Sequence, residues 1–110
     1  MSSEQIPDKW IIIGKEGSKD FKVLAGWSGG YTAADIWRLS SGITNIDLRD
    51  DFYMIHNISG SVYKCAKRSE GFTSLSGSIF ETIQFTEGDL KTYSVDECKE
   101  MLLSKPSKIK

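Results

Sequence analysis

The chain is short of the residues that small proteins use as staples or as chemistry. Its 110 residues hold two cysteines, two prolines and one histidine. Cys65 and Cys98 stand far apart in no CxxC pattern, and with His56 alone they do not supply the clustered ligands of a zinc site. No metal and no cofactor is therefore expected. Charge of one sign is also lacking. Fourteen basic residues against 15 acidic leave a net charge of -1, too even for the whole-molecule field to draw in nucleic acid or anionic lipid. Long apolar runs are missing, since Trp10-Ile11-Ile12-Ile13 is far short of the ~20 residues of a membrane span. The segment Met1–Lys9 lacks the charged and apolar regions of a signal peptide, so the expected setting is cytoplasmic, with both thiols reduced. Phosphate-cradling motifs are absent too: Gly14-Lys15-Glu16-Gly17-Ser18-Lys19 fits neither the P-loop nor the dinucleotide pattern. The acidic run Asp47–Asp51 lacks calcium-loop spacing and reads as a turn.

What is present is an ordinary globular composition, 39% hydrophobic and 26% charged. A single domain over 1–104 is expected, followed by a basic flexible tail over 105–110. The clearest local signal is Ser94-Val95-Asp96-Glu97, an S-x-x-E capping box, followed by Val95, Cys98, Met101 and Leu102 at helical spacing. It predicts a C-terminal helix that stops before Pro106. Most of the remainder reads as strands: Trp10–Ile13, Phe21–Trp27, Phe52–Ile58, Ser61–Lys67, Phe72–Leu75 and Ile79–Thr86. The stretch Tyr31–Gly42 fits either a short capped helix or a strand, and the strand is the reading adopted. Ile58-Ser59-Gly60-Ser61-Val62-Tyr63 and Leu75-Ser76-Gly77-Ser78-Ile79-Phe80 share one pattern, which suggests one hairpin device used twice. The expected fold is α+β: a mostly antiparallel β meander or half-open barrel of six or seven strands, with one C-terminal helix packed on a face. The expected core is Trp10, Ile12, Phe21, Val23, Ala25, Trp37, Leu39, Ile55, Val62, Ile79, Ile83, Phe85, Val95, Cys98 and Leu102.

A turn of two or four residues centred on Ser59-Gly60 sets Met54 opposite Cys65, His56 opposite Tyr63 and Ile58 opposite Ser61. Both faces of that hairpin are then largely apolar, where a half-covered antiparallel sheet alternates. A second cover is expected, and a homodimer is the commonest kind. The first functional reading is a non-enzymatic binding module taking a protein partner or a small apolar ligand. Its face is Phe52, Met54, His56, Ile58, Tyr63 and Cys65, with Trp27 and Tyr31 as rim aromatics. The second reading is a small enzyme. Cys65 and His56 on one face would make a thiolate pair, although the sequence names no acceptor to orient the imidazole. Ser28 is the weaker nucleophile: Gly26-Trp27-Ser28-Gly29-Gly30 satisfies G-x-S-x-G, with Asp47, Asp50 and Asp51 ahead of His56, but the chain shows hairpins rather than βαβ units. Rings at Trp10, Trp27, Tyr31, Trp37, Tyr53 and Tyr63 suit base stacking, yet the basic residues are scattered, which argues against a nucleic-acid partner. In texture the chain resembles the small accessory proteins of bacterial mobile elements, a likeness that carries no site.

Overall fold

A computed structural model describes residues 4–18, 20–28 and 36–103. It opens with β1 (Glu4–Gln5), β2 (Lys9–Lys15), β3 (Lys22–Trp27) and β4 (Ile36–Leu39). Next come β5 (Ile43–Arg49), β6 (Phe52–Asn57) and β7 (Val62–Ala66). After a single 3₁₀ turn at Lys67–Ser69 follow α1 (Ser74–Glu87), β8 (Leu90–Tyr93) and α2 (Val95–Leu103). The fold is α+β, but the strands form neither one meander nor a barrel. They make two four-stranded sheets, β1-β7-β6-β5 and β4-β3-β2-β8, antiparallel except for the β1–β7 pair.

Strand alternation builds the main core between these sheets. Trp10, Ile12, Val23 and Ala25 project from one sheet and Ile46, Ile55, Tyr63 and Cys65 from the other, all buried in one cluster. The Trp10 indole ties the layers together, its Nε1–H donating to the Ala66 carbonyl at 2.7 Å. Phe21 and Tyr93 meet edge to face, with ring centroids 5.0 Å apart. Helix α2 supplies Val95 and Cys98 to the same core. Its N-terminus is the expected capping box: the Ser94 amide donates to Glu97 Oε1 at 2.9 Å, and the Glu97 amide donates to Ser94 Oγ at 3.0 Å.

The second helix corrects the expectation of strands at Phe72–Leu75 and Ile79–Thr86, and with it the four-strand meander. Thr73 caps α1 through hydroxyls alone. Its Oγ1 accepts from the Ser76 amide at 3.0 Å, while Ser76 Oγ accepts from the Thr73 amide at 2.8 Å. Ile79, Phe80 and Ile83 then form a stripe that packs on Ile11, Ile13, Leu24 and Leu90, the outer face of the β2–β3 sheet. Gly26 lets the helix in, since a Cβ there would lie 2.7 Å from Thr73 Oγ1. The expected core is corrected at four places, the first being Val62, which lies on the outward face of β7 and joins no core cluster. Phe85 points away from the stripe and is 93% exposed, while Trp37 and Leu39 sit on the sheet-edge strand β4 at 38% and 37%. Among the described residues, no helix is long and apolar enough to cross a membrane.

Candidate functional site

The β6–β7 hairpin determines which side chains share a surface, and its turn is three residues long, Ile58-Ser59-Gly60. The Asn57 amide donates to the Ser61 carbonyl at 3.1 Å, the Gly60 amide donates to the Asn57 carbonyl at 2.9 Å, and Gly60 takes φ of 92°. A left-handed glycine at the third loop position is the usual way to close such a turn. The odd loop length moves the partner strand by one residue, which exchanges its two faces. Met54 therefore faces Lys64, Tyr53 faces Cys65, Ile55 faces Tyr63, and His56 faces Val62. This corrects the expected register.

Three of the expected interface residues, Phe52, Met54 and His56, lie together on the outer face of the β5–β6–β7 sheet. Tyr63 and Cys65 belong to the opposite, core face, where they are 4% and 0% exposed. Ile58 sits in the turn, 74% exposed. Trp27 is at a different edge of the molecule, donating its Nε1–H to the Ile6 carbonyl at 2.8 Å and lining an open cleft with Gln5, Ile36 and Arg38. Tyr31 lies outside the described residues. Register brings onto this face residues that were not expected there: Val62, Lys64 and Ala66 from β7, and Asn45, Asp47 and Arg49 from β5. The clue was loop length, which Asn57 and Ser61 fix by bonding across the turn, Asn57 Nδ2 donating to Ser61 Oγ at 3.2 Å.

The outer face has an apolar middle and charged flanks. Lys64 Nζ lies 4.7 Å from the centre of the Phe52 ring, a cation–π contact that also covers part of the ring. Asp47 supplies the acceptor for the imidazole, its Oδ2 lying 3.1 Å from His56 Nε2, and Asn45 Nδ2 donates to Asp47 Oδ1 at 3.3 Å. Met54 stands between these groups, on β6 between its cross-strand partners Asp47 and Lys64, and is only 7% exposed.

The nucleophile pairs do not assemble. His56 and Cys65 are on opposite faces of one sheet, so the imidazole has an acid but no thiol. Burial pushes the Cys65 thiol far up and the Cys98 thiol up to about 12, which keeps both in the neutral, unreactive form. Ser28 is exposed just after β3, where its amide donates to Asp8 Oδ2 at 2.8 Å. Gly29 and Gly30 lie outside the described residues, and Gly26 is accounted for by its contact with α1. Among the described residues, no group of three His, Cys, Asp or Glu side chains is placed to hold a metal ion. A second concavity of about 270 Å³ opens between α1 and the β2–β3 sheet, floored by Ile13, Leu39, Ile83 and Leu90. Lys15 and Glu87 pair at 3.6 Å at its rim.

The chain matches no protein-family model, and no curated protein or solved structure shows significant similarity to it.

Proposed function

We propose that this protein is a non-enzymatic, cytoplasmic interaction module that self-associates through the outer face of the β5–β6–β7 sheet. One observation carries the reading: Phe52, Met54, Val62 and Ala66 point away from both cores, and none of them joins a core cluster. The other sheet, by contrast, has a packed layer on each side. A second copy is the partner that needs no further component, and homodimer interfaces are the more apolar ones. The placement of His56 and Cys65 on opposite faces favours this reading over an enzyme built on that pair.

Light scattering across a dilution series tests the reading. The expected result is a dimer that dissociates on dilution, and monomers at every concentration for Met54→Asp and Ala66→Arg, each with the wild-type circular dichroism spectrum. A wild-type chain that stays monomeric up to millimolar concentration overturns it.

A further inference from the structure

The register of the outer face specifies how a second copy would sit. Three rows cross from β7 through β6 to β5: Val62–His56–Asn45, Lys64–Met54–Asp47 and Ala66–Phe52–Arg49. The middle row carries a cation at one end, a carboxylate at the other and an apolar residue between. Lys64 and Asp47 project side by side from the strands flanking β6, with Met54 between them, and they form no ion pair within the chain. No carboxylate lies within salt-bridge distance of Lys64 among the described residues; its partner there is the Phe52 ring.

We propose that two copies dock face to face about a two-fold axis running along β6, which sets Lys64 of each copy against Asp47 of the other. Such an axis exchanges β5 with β7 and leaves β6 over itself. Phe52 and Met54 then meet their own counterparts at the centre, and the charged ends of the middle row fall into register twice. Shifting the axis to lie between β6 and β7 would set Lys64 over Met54 and bury the cation on an apolar side chain, a costly arrangement. Packed sheets lie about 10 Å apart with strands nearly aligned, a gap that an extended lysine and an aspartate span between them. Arg49 falls over the small Ala66, where its length is accommodated. This docking rests on the self-association reading and adds an orientation to it.

The test is charge reversal with rescue. Lys64→Asp and Asp47→Lys are made singly, both at positions with solvent access, and followed by sedimentation velocity alongside the wild type. Each alone would set like charges against each other twice and weaken association by at least about tenfold. An equimolar mixture of the two restores opposite charges at both contacts, and so does the double variant in one chain; both are expected to dimerise like the wild type. Single variants that dimerise with wild-type affinity overturn the two-fold along β6, as does a mixture or double variant that stays monomeric. In either case Met54→Asp still reports on self-association through the face. A wild-type monomer overturns both statements together.

Discussion

The two sheets of this molecule treat their outer faces in opposite ways. On the β2–β3 sheet, Ile11, Ile13, Leu24 and Leu90 make a continuous apolar surface, and α1 covers it with Ile79, Phe80 and Ile83. On the β5–β6–β7 sheet, Phe52, Met54, Val62 and Ala66 are interrupted by Lys64, His56, Asp47 and Arg49, and among the described residues no helix side chain joins them in a core cluster. Consecutive apolar residues, as in Trp10–Ile13, mark a strand buried on both sides, and the chain itself provides the second layer. Apolar residues mixed with charges mark a face that tolerates water and remains open to a partner.

Removing apolar contact separates the two faces most sharply. Leu24→Ala, under α1 and fully buried, is expected to lower stability by about 3 kcal/mol in urea unfolding. Val62→Ala on the open face is expected to cost about 1 kcal/mol or less, measured at concentrations low enough to keep the chain monomeric. Equal losses would mean that the open face is covered after all. A smaller effect should follow from crowding the helix rather than emptying its seat. Gly26→Ala places a methyl against Thr73, which already holds the capping bonds of α1, and should cost about 2 kcal/mol with no change in self-association. A change in association instead would tie the two faces together.

The smallest effect distinguishes the two helix caps. The Thr73–Ser76 box of α1 contains hydroxyls and amides only, so acid leaves it intact. In α2, hydrogen bonding to Ser94 holds the Glu97 carboxyl below its usual range. A lowered folded pKa means that the contribution is fully present above the ordinary carboxylate value, about 4.3, and disappears as pH falls through the lower, folded value. Carbon NMR titration of the Glu97 carboxyl should show that lowered midpoint, and Ser94→Ala should return it towards the ordinary range.

What the sequence disclosed follows from how local each signal is. The α2 helix was legible because Ser94 and Glu97 state their cap in four residues and Val95, Cys98 and Leu102 repeat at helical spacing. The strands β2, β3, β6 and β7 were legible from their β-branched and aromatic runs. Helix α1 was hidden because its box is Thr73-x-x-Ser76 without an acid, and its Ser, Thr, Ile and Phe content favours strand. The repeated Ser-Gly-Ser pattern shows the limit of local reading. It closes a turn at Gly60, which takes positive φ, and lies inside the first turns of α1 at Gly77. For the outer face the obstacle was register, since a loop of three residues instead of two or four moves Tyr63 and Cys65 into the core and brings Val62 and Lys64 outward. Asp47 was legible only as one of three acids ahead of His56, and which of them meets the imidazole depends on how β5 pairs with β6.

The shortest strand has a consequence for how the sheet's edge is held. β1 is only Glu4–Gln5, yet it pairs in parallel with Val62 and Tyr63, and after three intervening residues the chain enters the other sheet as β2. Two residues of ladder return little against the entropy of closing so long a loop, and parallel pairing is the weaker kind. The pairing gains only once β7 already stands in its sheet and Trp10 has been drawn between the layers. β1 is therefore a latch on the edge of β7, a short parallel pairing that depends on the sheet it joins and adds little of its own.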